Sequence, residues 1–128
     1  MGDGFHIVTD LHMHSTASDG RMSPHDVMTE AANAGLQMVA LTDHDTLAGL
    51  EEARSAAQVH GLTFVNGVEI SARENDEEVH LLAYRFNPEN AGLLSLLSLQ
   101  QQRRTERAEE FVRCFRRDGL ISDEQQLP

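Results

Sequence analysis

The sequence predicts an α/β fold built on a parallel sheet. Short β-branched runs alternate with helical stretches in the order βαβαβ, the pattern of strands joined by crossover helices. Helix-start and helix-stop residues stand at the right places between them. Histidines and carboxylates recur where strands end, and that edge of a parallel sheet is where α/β proteins bind ligands.

The elements follow in order. "FHIVTDL" (residues 5–11) is short, β-branched and preceded by Gly4, which reads as a buried strand. Ser23 followed by Pro24 is an N-cap with proline at the first helical position, and Val27, Met28, Ala31, Ala32 and Leu36 recur at helical spacing. A helix over 24–35 is expected, with Gly35 at its end. "QMVALTD" (37–43) is a second buried strand. Asp45 or Thr46 is the expected cap of a helix over 46–60, stopped by Gly61. A third strand covers 62–70. The polar run "RENDEE" (73–78) then turns the chain into a fourth strand over 79–86, so a hairpin or bend is expected there. From Pro88 to about Asp118 the pattern is helical, with Gly119 as its stop, and Ser122 is the expected cap of a further helix.

Length and composition narrow the function. The 128 residues fit one domain, and 40% hydrophobic with 24% charged residues is ordinary for a globular protein. Ten arginines, no lysine and 21 acidic residues give a formal net charge of -11. Such a surface repels nucleic-acid backbones and anionic membranes, so duplex binding is not expected. Bound divalent cations reverse that sign locally, which leaves a phosphate-ester substrate open. Cys114 is the single cysteine, excluding an internal disulfide and a thiolate zinc site. A reducing cytoplasm is the natural expectation. The N-terminus carries no secretory pattern, and the most apolar run, "GLLSLLSL", is too short to span a bilayer.

The chemistry concentrates in His12, His14, Asp19, His44, Glu69 and His80. Alternate strand residues share a face, so His12 and His14 point the same way and form a two-nitrogen claw for a metal. "LTDHD" (41–45) and "GVEIS" (67–71) place His44 and Glu69 at the ends of the second and third strands. Three strand ends thus deliver ligand-type side chains to one edge. A carboxylate can bridge two cations, so Glu69 suits a multinuclear site. Asp10 and Asp43 are expected to orient imidazoles rather than ligate. His6, His25 and His60 lack such company and read as surface or core residues.

At these residues the chain resembles a family. "DLHMHS", "SDG", "LTDHD", "GVEIS" and "VHLLAY" stand in the order and spacing of the polymerase-and-histidinol-phosphatase (PHP) family of metal-dependent phosphoesterases. The likeness is greatest to the branch of 3′,5′-nucleoside bisphosphate phosphatases and 5′ to 3′ exoribonucleases. It implies the N-terminal half of a distorted TIM-like (β/α)7 barrel, with a hairpin near 69–86 and residues 1–128 as a single, truncated domain. It implies up to three divalent ions in the complete domain: His12, His14 and Glu69 on one, Asp19 and His44 on a second, and Glu69 bridging to a third with His80. The family's remaining ligands come from the later half of the barrel. The second and third sites therefore keep two ligands each, fewer than the three or four of a tight site, so the rest of the barrel or a partner chain is expected.

The resemblance also carries a mechanism and a substrate. Clustered cations lower the pKa of a bridging water, so the expected attacking group is a metal-activated hydroxide and no serine or cysteine nucleophile is required. With His and carboxylate ligands, Mn, Zn or Fe all suit. The expected substrate is a small phosphorylated nucleotide or the 5′ end of a short RNA. "RTERAEEF" resembles a family segment whose arginines hold phosphate, which makes Arg103, Arg104 and Arg107 candidate anchors, with Arg21 a weaker one. The other reading of those arginines is a solvated helix face paired with Glu106, Glu109 and Glu110. Two further functions stay open. Amidohydrolases also begin with H-x-H on strand one, although many use a carboxylated lysine and this chain has none. A non-catalytic metal-binding or interaction module is the other.

Overall fold

A computed structural model describes residues 8–122. The elements run β1 (Thr9–Met13), α1 (Pro24–Asn33), β2 (Met38–Leu41), α2 (Leu50–Val59), β3 (Thr63–Glu74), β4 (Glu77–Tyr84) and α3 (Ala91–Arg117). They form a mixed α/β half-barrel in which a four-stranded sheet of order β1-β2-β3-β4 curls around its inner face. β1, β2 and β3 are parallel, as short strands joined by crossover helices must be. β4 returns antiparallel to β3 across a tight turn. Residues 5–7 of the expected first strand, His6, and the helix expected after Ser122 lie outside the described residues.

The outer core is built from helix against sheet. Val27, Met28 and Ala31 of α1 and Leu50, Ala53, Ala56 and Ala57 of α2 close over Val39 and Leu41 of β2. Small alanines on α2 let the two helices approach each other and the sheet. On α1 the Ser23 hydroxyl accepts the Asp26 amide at 3.1 Å with Pro24 directly after it, so this helix begins where local chemistry dictates. α3 contributes only Leu97 to the buried set and leaves Leu94, Leu96, Leu99, Phe111 and Phe115 exposed. Among the described residues no helix is long and apolar enough to cross a membrane.

Several elements differ from expectation. α2 begins at Leu50, not at 46, and its N-cap is Gly49 without a side-chain cap bond. The cause lies upstream: His44 bridges to Glu69, and Asp45 is left-handed at φ +54°, a conformation that cannot start a right-handed helix. β3 runs on to Glu74 because β4 pairs with it through Glu74↔Glu77. Asn75 and Asp76 join them with φ of +49° and +64°, the geometry of a two-residue hairpin turn. α3 starts at Ala91 rather than Pro88, since the Asn90 side chain caps it through the Leu93 amide at 2.9 Å. β1 pairs with β2 through Asp10↔Val39 and Met13↔Leu41, so one extra residue bulges out in the stretch that contains His12.

Candidate metal centre

β1, the loops after β1 and β2, and the β3–β4 pair bring the six sequence-identified side chains together, Asp19 against His14 and His44 and the four histidines against Glu69. That carboxylate is 5% exposed. Its Oε2 lies 3.1 Å from His12 Nε2, 3.0 Å from His14 Nε2 and 3.6 Å from His44 Nδ1. Its Oε1 lies 3.1 Å from His80 Nδ1. Asp19 closes the other side, with Oδ2 3.2 Å from His44 Nε2 and Oδ1 3.6 Å from His14 Nδ1. Three sets result: His12, His14 and Glu69; His14, Asp19 and His44; His44, Glu69 and His80. Within each, the ligand atoms lie within 4.8 Å of one another.

This donor set suits divalent cations on physical grounds. The Nδ1 atoms of His14 and His44 are buried and have no hydrogen-bond partner among the described residues, a costly condition for a polar atom. The two rings are stacked with centroids 4.5 Å apart and 20° between planes, so their nitrogens stand side by side. Two donors each about 2.1 Å from a tetrahedral ion stand about 3.4 Å apart. The 3.6 Å separations of His14 Nδ1 from Asp19 and of His44 Nδ1 from Glu69 match that spacing and are too long for hydrogen bonds.

The electrostatics point the same way. Burial pushes the Glu69 carboxyl upward, but the His12 hydrogen bond and the nearby His44, His12 and His14 charges outweigh it and hold the group below its ordinary range. The hydrogen bond to Glu78 raises His80 above its usual value, with the Glu69 charge adding to it against desolvation. Glu78 is lowered by the same pair.

Asp10 and Asp43 act on backbone and loop rather than on rings. Asp10 accepts the backbone N–H of His12 at 3.0 Å, within the bulged stretch. Asp43, 2% exposed, accepts from Ser15 N at 2.6 Å and Ser18 Oγ at 2.7 Å on Oδ1, and from Ser15 Oγ at 2.7 Å on Oδ2. It thereby fixes the loop that carries Asp19. Ser15, Ser18 and Ser71 escaped the sequence reading, and Asp45 entered it only as a helix cap, because a serine or an aspartate beside a ligand looks like any loop residue until its partner strand is known. Gly20 did carry a signal in "SDG". A Cβ there would meet the His14 carbonyl oxygen at 2.6 Å and the Ser15 carbonyl carbon at 2.8 Å. Gly20→Ala is accordingly expected to push the loop outward and cost about 1–3 kcal/mol of stability by overpacking. Chemical denaturation measures this, and an unchanged midpoint would show that the loop yields freely.

The arginines stand beside the cluster. A cleft of about 380 Å³ is lined by Ser18, His44, Thr46, Gln101, Arg104 and Thr105 among others. A second, of about 370 Å³, holds Arg103, Arg104, Arg107, Arg73 and Phe111. Arg104 borders both. Its Nη1 lies 3.3 Å from Ser71 Oγ and 3.5 Å from Asp45 Oδ2. Arg107 lies 3.6 Å from Glu78, so that partner comes from β4 and not from the helix. Arg21 is exposed.

Comparison with known proteins agrees with this architecture. The model of the PHP domain family matches residues 10–123. A 5′-3′ exoribonuclease of Haemophilus influenzae is 41% identical over 111 residues, 87% of this chain and 40% of its own length. A 3′,5′-nucleoside bisphosphate phosphatase of Chromobacterium violaceum is 40% identical over 111 residues, 87% of this chain and 39% of its own. Among solved structures, a candidate metal-dependent phosphoesterase of Bifidobacterium adolescentis superposes with a TM-score of 0.81 at 35% identity, over 86% of this chain and 38% of that one. A Chromobacterium violaceum protein described as an amidohydrolase, with bound sulfate and no metal, gives 0.77 at 39% identity, over 80% and 36%. The chain spans about 40% of the length of these curated relatives.

Proposed function

The chain belongs to the PHP domain family, and from that premise we propose that it carries the metal-binding part of a phosphoesterase. Its substrates in this reading are nucleoside 3′,5′-bisphosphates or the 5′ ends of short RNA. The observation that carries the proposal is Glu69, whose two oxygens face different imidazoles as a bridging carboxylate must. His12, His14 and Glu69 would hold one ion, Asp19 and His44 a second, and Glu69 with His80 a third. Mn, Zn or Fe suit these nitrogen and oxygen donors.

Bound ions supply an activated water and neutralise phosphoryl charge. The chain's own residues do the rest. Glu69 and the imidazoles set where the ions stand. Arg104, at the wall shared by the two clefts, offers its guanidinium to phosphate oxygens, and Arg103 and Arg107 extend that cationic surface. The net charge of -11 disfavours long polyanions, whereas a small nucleotide needs only this local patch.

The test is phosphate release from adenosine 3′,5′-bisphosphate in the presence of Mn, with His14→Ala beside the parent. The sequence should be tested alone and in a chain extended to the length of its relatives. Release by the extended protein that is lost in His14→Ala is the expected result. Absence of metal-dependent release from the extended protein would overturn the reading, and turnover of a cyclic amide instead would favour the amidohydrolase. Metal analysis of the 128-residue chain separates the inactive module, which should hold about one ion or none.

A pH dependence follows from His80. Because its folded pKa is raised, its pairing with Glu78 stabilises the metal-free fold fully below about pH 6.5. That contribution is lost as pH rises through the folded value. Metal must displace the proton, so affinity should increase between about pH 6 and 8, by at most about tenfold per unit for one proton. A competitive chelator titration at both pH values measures it, and a flat profile would remove His80 from the ligand set.

A further inference from the structure

Asp45 is fully buried although it stands in a loop, and it holds a left-handed backbone at φ +54° that a non-glycine residue adopts only when its surroundings fix it. Those surroundings join the site to α3. The Asp45 N–H donates to the Glu69 carbonyl at 2.9 Å. Its Oδ1 accepts the Ser71 N–H at 2.8 Å and its Oδ2 the Ser71 hydroxyl at 2.7 Å. From the other side, Gln101 Nε2 donates to the Asp45 carbonyl at 2.7 Å. Arg104 Nη1 approaches both Oδ2 and Ser71 Oγ.

Gln101 and Arg104 are three residues apart and so share a face of α3. That helix contributes only Leu97 to the buried set, so apolar packing fixes its middle weakly. Polar contacts to Asp45 take over that task. They engage one edge of the Arg104 guanidinium and leave its other donors for a ligand.

We propose that Asp45 is a positioning residue that holds Arg104 at the wall between the two clefts, so that the guanidinium meets the non-reacting phosphate of a nucleoside bisphosphate. The inference rests on Arg104 being a phosphate anchor, as set out under the proposed function. It adds a specificity determinant: Asp45 decides how strongly a second phosphate counts. Asp45 touches neither substrate nor ion in this arrangement and acts through Arg104.

The experiment is calorimetric binding of adenosine 3′,5′-bisphosphate and of adenosine 3′-monophosphate, which lacks the 5′-phosphate left in place when the 3′-phosphate is released, to the metal-free chain with chelator present, so nothing is turned over. Asp45→Asn and Arg104→Gln should each weaken bisphosphate binding about tenfold, and the double variant no more than Arg104→Gln alone, as coupled residues do. The monophosphate should lose at most about threefold, because it lacks the phosphate that Arg104 meets. Ser71→Ala removes the hydroxyl between Asp45 and Arg104 and should shift bisphosphate affinity in the same direction by a smaller factor. It decides the matter if Asp45→Asn does not fold. Unchanged affinity, additive losses, equal losses for both nucleotides, or no bisphosphate binding by the parent chain would each overturn the proposal. Failure of Mn-dependent phosphate release bears on the proposed function alone, since binding is read without turnover.

Discussion

Replacing Glu69 with glutamine should strip the chain of tightly bound divalent metal, with affinity falling by at least about 100-fold, since changes one shell further out already cost 10–100-fold. The substitution keeps the size of a side chain that is 5% exposed, so packing is preserved. What it removes is the negative charge facing His12 and His14 on one oxygen and His80 on the other. An amide has one oxygen acceptor where the carboxylate has two, so it cannot face both ring sets. The metal-free fold behaves differently. Glu69 is held below its ordinary carboxylate value, so its contribution to stability is present above about pH 4.5 and is lost as pH falls through the lowered folded value. Metal titration near neutral pH separates the variant from the parent. A variant within about threefold of the parent in metal affinity would exclude Glu69 as a bridge.

Asp43→Ala is expected to act mainly on the fold. It deletes three short hydrogen bonds, from Ser15 N, Ser15 Oγ and Ser18 Oγ, and leaves the buried Ser15 donors without their acceptor. Hydrogen bonds to a buried carboxylate are stronger than neutral ones, and a loss of about 3–5 kcal/mol follows. That is a large share of the roughly 5–15 kcal/mol that keeps a domain folded. The loop that carries Asp19 should loosen with it and lower metal affinity by about 10–100-fold. Asp43→Asn should be milder, because its amide oxygen still accepts Ser15 N–H and its NH2 can donate to a reoriented Ser15 hydroxyl. Urea unfolding gives the first quantity and a metal titration the second. An alanine variant as stable as the parent would show that the loop is held by something other than Asp43.

The contrast between these two residues explains what was legible in the linear chain. His12, His14 and His44 could be found because each stands near or just beyond the end of a strand, and strand ends share an edge once the order βαβαβ is recognised; Glu69 reads as a strand end in the sequence, although β3 runs on past it to Glu74. Asp43 also stands at a strand end, yet its role depends on which loop lies opposite. That is a matter of register between β1 and β2, and the register includes a bulge between Asp10 and Met13 that no local pattern announced. Asp45 went further astray. Its residue type reads as a helix cap, but the partner that claimed its carboxylate is Ser71, 26 positions later.

The sequence by itself determined the element order, the start of α1 at Ser23–Pro24, the polar turn before β4, and the ligand-type side chains on the first three strands or just after them. These rest on interactions within a few residues: capping, proline geometry, turn chemistry and hydrophobic periodicity. Only the tertiary structure decided the late start of α2, the division of Glu69's oxygens between ring sets, the service of Asp43 to the Asp19 loop, and the seat of Arg104 between two clefts. The physical reason is that a carboxylate or guanidinium bonds to whatever donor or acceptor folding brings within about 3 Å. Those partners lie on different strands, so pairing and curl must form before the choice exists.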